Sequence, residues 1–108
     1  MGDAVVVSVV GELDASTATE FRRKLCGLVE SVIAGNVVLD MSRLDFLDVA
    51  SVRVIEKGRA AAAARGRALW VDGLHGGPAR LLELLGLESL ADPVDVQGCE
   101  RRSRGRSE

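Results

Sequence analysis

The chain has 108 residues, 47% of them hydrophobic and 28% charged, with a formal net charge of −2. That suffices for one domain with a real core and is too little for two. The acidic balance gives no electrostatic case for direct DNA binding. Two cysteines, Cys26 and Cys99, and a single histidine, His75, stand without metal-ligand spacing, so no zinc site and no cofactor is expected.

No charged leader with an apolar core opens the sequence, and no apolar run is long enough to span a bilayer. A cytoplasmic protein with reduced thiols and no membrane insertion is the expectation. Residues 101–108 hold four Arg and one Glu, leaving −5 on residues 1–100. The expected organisation is a folded domain over 1–98 and a disordered Arg-rich tail over 99–108, able to touch an acidic partner, nucleic acid or a membrane surface.

Ala4 to Val10 is a β-branched run and predicts a strand buried on both faces. Gly11-Glu12-Leu13-Asp14 breaks it. A helix follows, capped by Thr17 in a box with Glu20, or by Asp14 or Ser16. Phe21, Leu25, Leu28, Val29, Val32 and Ile33 make its apolar stripe, Cys26 lies at the stripe's partly buried edge, and Gly35 is placed to end it. Val37 to Met41 predicts a second strand, Ser42 to Asp45 a turn, and Phe46-Leu47 a return of apolar groups to the core.

The next helix opens at Asp48 and runs to about Arg65. Ser51, Val54, Ile55, Gly58, Ala61 and Ala62 share its inner face, small enough for the helix to lie tight against a sheet. Ala68 to Val71 is a third strand. The glycine-rich Asp72–Gly77 loop leads to Pro78 in the first turn of a third helix with Leu81, Leu82, Leu84 and Leu85, closed by Gly86. A short helical or turn segment at Leu87–Leu90 and a last edge strand at Pro93–Val96 complete the reading. Alternating strands and helices imply an α/β fold with parallel pairing and right-handed crossovers.

Candidates for chemistry are few. His75 has no Ser or Cys beside it in sequence, and no enzyme activity is expected. Gly73-Leu74-His75-Gly76-Gly77 matches neither dinucleotide nor P-loop spacing and reads as a connection between strand and helix. Asp14, Asp40, Asp45 and Asp48 are candidates for an acidic cluster. A parallel sheet places Asp14 and Asp48 on one edge of the molecule, as neighbouring helix caps or as a shared binding edge for another protein.

In this order and spacing, Gly11-Glu12-Leu13-Asp14, Val38-Leu39-Asp40-Met41-Ser42, Phe46-Leu47-Asp48 and Leu81-Leu82-Glu83-Leu84-Leu85-Gly86-Leu87 resemble the STAS domain. More specifically, they resemble the bacterial anti-sigma factor antagonists, over about residues 4–96. The resemblance implies a single small domain, a mixed or parallel sheet packed with three to four helices. It also implies a partner, an anti-sigma factor that is often a serine kinase, and hence control of sigma-factor-dependent transcription. Family members are switched off by phosphorylation of a Ser or Thr after the helix-opening Asp, in a segment that usually reads Asp-Ser-Ser-Gly-Leu-Gly.

Here the segment reads Asp48-Val49-Ala50-Ser51-Val52-Arg53, with Val49 at the acceptor position and Ala50 next. Neither carries a hydroxyl. Ser51, the substitute acceptor, faces the sheet, where a phosphate would be costly to bury. Asp14, Asp48, Val49, Ala50 and Arg53 are the expected partner-binding residues. The family commonly has a strand before Ala4, and the open sheet edge expected in its absence favours a homodimer. STAS-like domains also serve as ligand- or nucleotide-binding accessory subunits, for example of a lipid transporter, and that is the second expectation.

Overall fold

The structure is a computed structural model and describes residues 4–31 and 35–92. Val32 and Ile33 of the first stripe, the expected strand Pro93–Val96, Cys99 and the tail lie outside the described residues. In chain order come β1 (Ala4–Ser8), β2 (Gly11–Leu13), α1 (Ala18–Glu30), β3 (Asn36–Asp40), β4 (Leu44–Leu47), α2 (Val49–Ala64), β5 (Leu69–Asp72) and α3 (Gly76–Leu85), then a 3-10 turn at Glu88–Ala91.

The strands form a three-stranded sheet β1-β3-β5 and a two-stranded sheet β2-β4. Every pairing among the described residues is parallel, so the parallel half of the sequence expectation holds. The two sheets are successive lengths of one bent ribbon. Ser8 faces Asp40, Gly11 faces Leu44 and Leu13 faces Leu47, so the β3–β4 chain takes up two more residues than its partner over the same span. Gly11, at φ 92°, absorbs the bend in a conformation that side chains disfavour. The Gly11–Asp14 segment therefore does not end the strand. The break falls at Val9–Val10, and pairing resumes at Gly11.

The crossovers β1-α1-β3 and β3-α2-β5 run the same way, which puts α1 and α2 side by side on one face, packed on each other. Val37, Leu39, Leu69 and Val71 point into that layer and meet Leu25, Val29, Val52 and Ile55. Val6, on the other face of β1, is 62% exposed, and Val10, beyond the end of β1, is 56% exposed, against the expectation of burial on both sides. Among the described residues, helices cover one face only, and β1 is an edge strand.

Other departures are local. Helix α1 ends at Glu30 with Ser31 as its cap, so Gly35 does not close it, and Cys26 is exposed rather than partly buried. The stretch read as a turn is strand from Leu44 onward. Leu47 is buried there, whereas Phe46 is 48% exposed and does not enter the core. Val52, missing from the expected inner face of α2, is fully buried. Gly58 does serve close approach, but chiefly to α1: a Cβ there would lie 2.7 Å from Leu25 Cδ2. Helix α3 packs on β4, and the 3-10 turn packs on β5.

Candidate partner-binding edge

Leu13 and Leu47 end β2 and β4 as paired residues, and Asp14 and Asp48 follow them at the same edge of the sheet. The Asp48 N–H donates to the Leu13 carbonyl oxygen at 3.1 Å, which carries the pairing one step past the strands. The two acids then do different work.

Asp48 has extended backbone (φ −104°, ψ 172°) and is the N-cap of α2; its Oδ1 accepts the Ser51 N–H at 2.8 Å. This satisfies one of the helix's open donors, and the acid also complements the positive end of the helix. Asp14 caps a turn instead. Its Oδ1 accepts both the N–H and the hydroxyl of Ser16, at 2.9 and 2.6 Å. The Ser16 hydroxyl, then its N–H, hold the Asp14 carboxyl below its ordinary value, with smaller help from Thr17. The Thr17 hydroxyl accepts the Asp14 N–H and points back to the carbonyls of Glu12 and Asp14. It makes no cap bond to α1, and Glu20 pairs with Arg23 and Lys24 rather than closing a capping box.

Val49 and Ala50 are exposed in the first turn of α2, Val49 by 44%. Arg53 is exposed one turn on and pairs with Glu56 at 3.2 Å. Ser51 turns inward. It is fully buried, and its hydroxyl has no hydrogen-bond partner among the described residues. The edge thus presents Asp14, Asp48, Val49, Ala50 and Arg53, with no exposed hydroxyl on residues 48–53.

Asp40 and His75 have structural partners. Asp40 sits opposite Asp72 in the β3-β5 pairing, and its Oδ1 accepts the Ser42 N–H at 3.0 Å, which holds its carboxyl below the ordinary value. Asp45 is exposed on β4, away from Asp40 in the strand order. No three or more His, Cys, Asp or Glu side chains cluster to hold a metal ion among the described residues. His75 caps α3 through its backbone, and its Nε2 lies 2.8 Å from the Ser42 carbonyl oxygen, to which it donates. Gly73, at φ 82°, lies against Ser42 so closely that a Cβ would come within 2.9 Å of the Ser42 Cβ. The glycine-rich loop is therefore shaped by packing on Ser42.

Sequence reading missed one feature. Phe46, with Leu47, Pro78, Leu81 and Leu84, lines an apolar groove between β4 and α3, and Leu84 is 71% exposed. Two consecutive exposed positions in β4, Asp45 and Phe46, break the strand alternation that sent Phe46 inward.

No helix among the described residues is long and apolar enough to cross a membrane. No curated protein matches the chain by sequence. Solved structures similar in fold include the anti-sigma factor antagonist SpoIIAA in its unphosphorylated form, at TM-score 0.73 and 18% identity, over 82% of this chain and 77% of that one. The SulP transporter STAS domain from Vibrio cholerae aligns at TM-score 0.60 and 17% identity, over 82% and 67%. A sulfate transporter family protein from Wolinella succinogenes aligns at 0.59 and 19%, over 81% and 72%. These likenesses establish a fold shared by sigma-factor antagonists and transporter domains. The family model described as "Mlab, STAS domain" matches residues 1–92, and the chain belongs to that STAS family.

Proposed function

We propose that the chain is a non-enzymatic interaction module that binds an anti-sigma factor, and so regulates sigma-factor-dependent transcription, without the usual Ser/Thr switch. The observation that carries this reading is the start of α2. Asp48 caps the helix, and the two exposed residues after it, Val49 and Ala50, have no oxygen to phosphorylate. The partner surface is the Asp14–Asp48 edge with Val49, Ala50 and Arg53, and binding there is constitutive or controlled by means other than phosphorylation. The fold likeness to SpoIIAA supports the partner class. The test is incubation with candidate anti-sigma kinases and ATP, followed by intact mass and pull-down. Co-purification without added phosphate is the expected result. Phosphate on the chain overturns the missing switch, and binding to none of them counts against the whole reading.

A second reading is a STAS accessory subunit that binds a ligand or nucleotide in a transporter, for example of lipids. The family description and the two transporter neighbours support it. Thermal shift against nucleotides and lipids separates the two, since a flat response removes the second.

A further inference from the structure

Away from the Asp48 edge, α1 and α2 enclose a trough of about 270 Å³ on the helical face of the molecule. Its floor is apolar: Leu25 and Val29 from α1, Val54, Gly58 and Ala61 from α2. Its rim is basic. Arg22, Lys57 and Arg65 all line it, and the one acid beside them is Glu30. None of these three cations has an ion pair among the described residues, where the pairs join Glu20 to Arg23 and Lys24, and Arg53 to Glu56. On a chain of net charge −2, this is a local excess of unpaired positive charge over an apolar trough.

The charges are also ordered along the trough. Both helices cross between parallel strands, so they run in the same direction, and Gly58 lies level with Leu25. Arg22 and Lys57 then flank one end on opposite walls, within about one helical turn of each other. Glu30 and Arg65 line the other end, with Arg65 about 12 Å from Lys57 along α2. One end is cationic, the middle is apolar and the far end is balanced.

We infer that this trough binds a single-chain amphiphile with an anionic head, the head between Arg22 and Lys57 and the chain lying over Leu25, Gly58 and Ala61 towards Arg65. A carboxylate or phosphate desolvated there gains two cations that no acid among the described residues pairs with, and the chain covers the half-buried Val54, Gly58 and Ala61 above the buried Leu25 and Val29. The site does not depend on the Asp48 edge, and because an amphiphile bound in it also registers as a lipid response, the nucleotide arm of the thermal shift is the one that bears on the accessory-subunit reading alone.

Cys26 is exposed and lines the same trough, which supplies a direct readout. The full chain carrying Cys99→Ser is titrated with decanoate below its micellar concentration, by calorimetry and by the rate of Cys26 alkylation. Decyltrimethylammonium and butyrate serve as controls for charge and chain length. The expected result is saturable decanoate binding that slows Cys26 alkylation, with neither control doing so. Arg22→Glu with Lys57→Glu, both exposed, is expected to weaken decanoate about tenfold or more while leaving the melting temperature near that of the parent. Ala61→Trp fills the trough and is expected to abolish binding; where it fails to fold, the charge reversal decides. Equal binding of the cationic amphiphile, unprotected Cys26, or insensitivity to the charge reversal overturns the assignment. So does Cys26 protection that rises with protein concentration alone, which would mean that a second copy covers the trough.

Discussion

The N–H of Asp48 donates to the carbonyl oxygen of Leu13 at 3.1 Å, while the Asp48 side chain caps α2 through the Ser51 N–H. One residue thus ties the sheet edge to the helix start. The side-chain half is removable on its own. Asp48→Ala is expected to lower stability by about 1 kcal/mol, and Asp48→Asn, which retains the acceptor oxygen, by a few tenths. Urea denaturation of the three proteins measures this. Equal losses for Ala and Asn would assign the effect to the negative charge at the helix end rather than to the cap.

Restoring a hydroxyl at the edge tests the missing switch directly. Val49 and Ala50 are both exposed, so Val49→Ser and Ala50→Ser each add an accessible hydroxyl at little cost in stability. With an anti-sigma kinase that binds the parent chain, one of the two variants is expected to gain a single phosphate by intact mass, and the phosphorylated form is expected to lose the partner. A phosphate at the start of α2 is not itself destabilising, because the helix end favours negative charge. Loss of binding would therefore report the interface.

The order of elements and the Asp14–Asp48 juxtaposition were legible in the sequence because they depend on local signals: β-branched runs, an Asp at a helix start, and the parallel pairing that alternation with helices demands. What was not legible depends on neighbours. Gly11 reads as a strand breaker, yet it is the bend at which β2 starts to pair with β4, with one extra residue taken up on the other side before it and one, Asp45, after it. Phe46 reads as core because nothing in its own segment says that the β4 alternation fails. Val6 and Val10 read as buried because composition does not reveal that the described helices cover one face only. Cys26 is exposed, whereas its neighbour Leu25 fills the space facing Gly58.

Among the described residues the Ser51 hydroxyl is buried without a partner, a desolvation cost with no return. Ser51→Ala removes the oxygen and leaves the Asp48 cap, which uses the backbone N–H. The expected change is between about 0 and 1 kcal/mol in the stabilising direction. A loss above about 1 kcal/mol in urea denaturation would mean that the hydroxyl finds a partner in solution. Ser51→Asp, a mimic of the costly phosphorylation, is expected to destabilise by about 3 kcal/mol or more.

Gly73 and Gly76 separate conformational strain from crowding. Both have positive φ, 82° and 60°, but a Cβ at Gly73 would meet Ser42 at 2.9 Å, its backbone N at 3.0 Å, while at Gly76 it meets nothing within 4 Å. Gly76→Ala is expected to cost about 1 kcal/mol from backbone conformation alone. Gly73→Ala adds displacement of Ser42 and of its bond from His75, for a total of about 2–4 kcal/mol. Comparable losses in thermal and urea melts would show that the loop moves off Ser42 at little cost.

Acid response follows from Asp14 and Asp40. Both carboxyls are held below the ordinary aspartate value of 3.8 in the folded chain, by Ser16 and Ser42 respectively. A depressed folded-state value means that the unfolded chain takes up the proton first. The stabilising contribution is therefore full well above pH 3.8 and fades as pH falls through that value and below it. Both groups are solvent-exposed, so each contribution is small. The expected outcome is that Asp14→Ala and Asp40→Ala are less stable than the parent at neutral pH, and that the gap narrows steadily in urea melts taken from pH 6 down to about pH 3. A gap that stays constant over that range would assign both losses to turn geometry rather than to the ionised carboxylates.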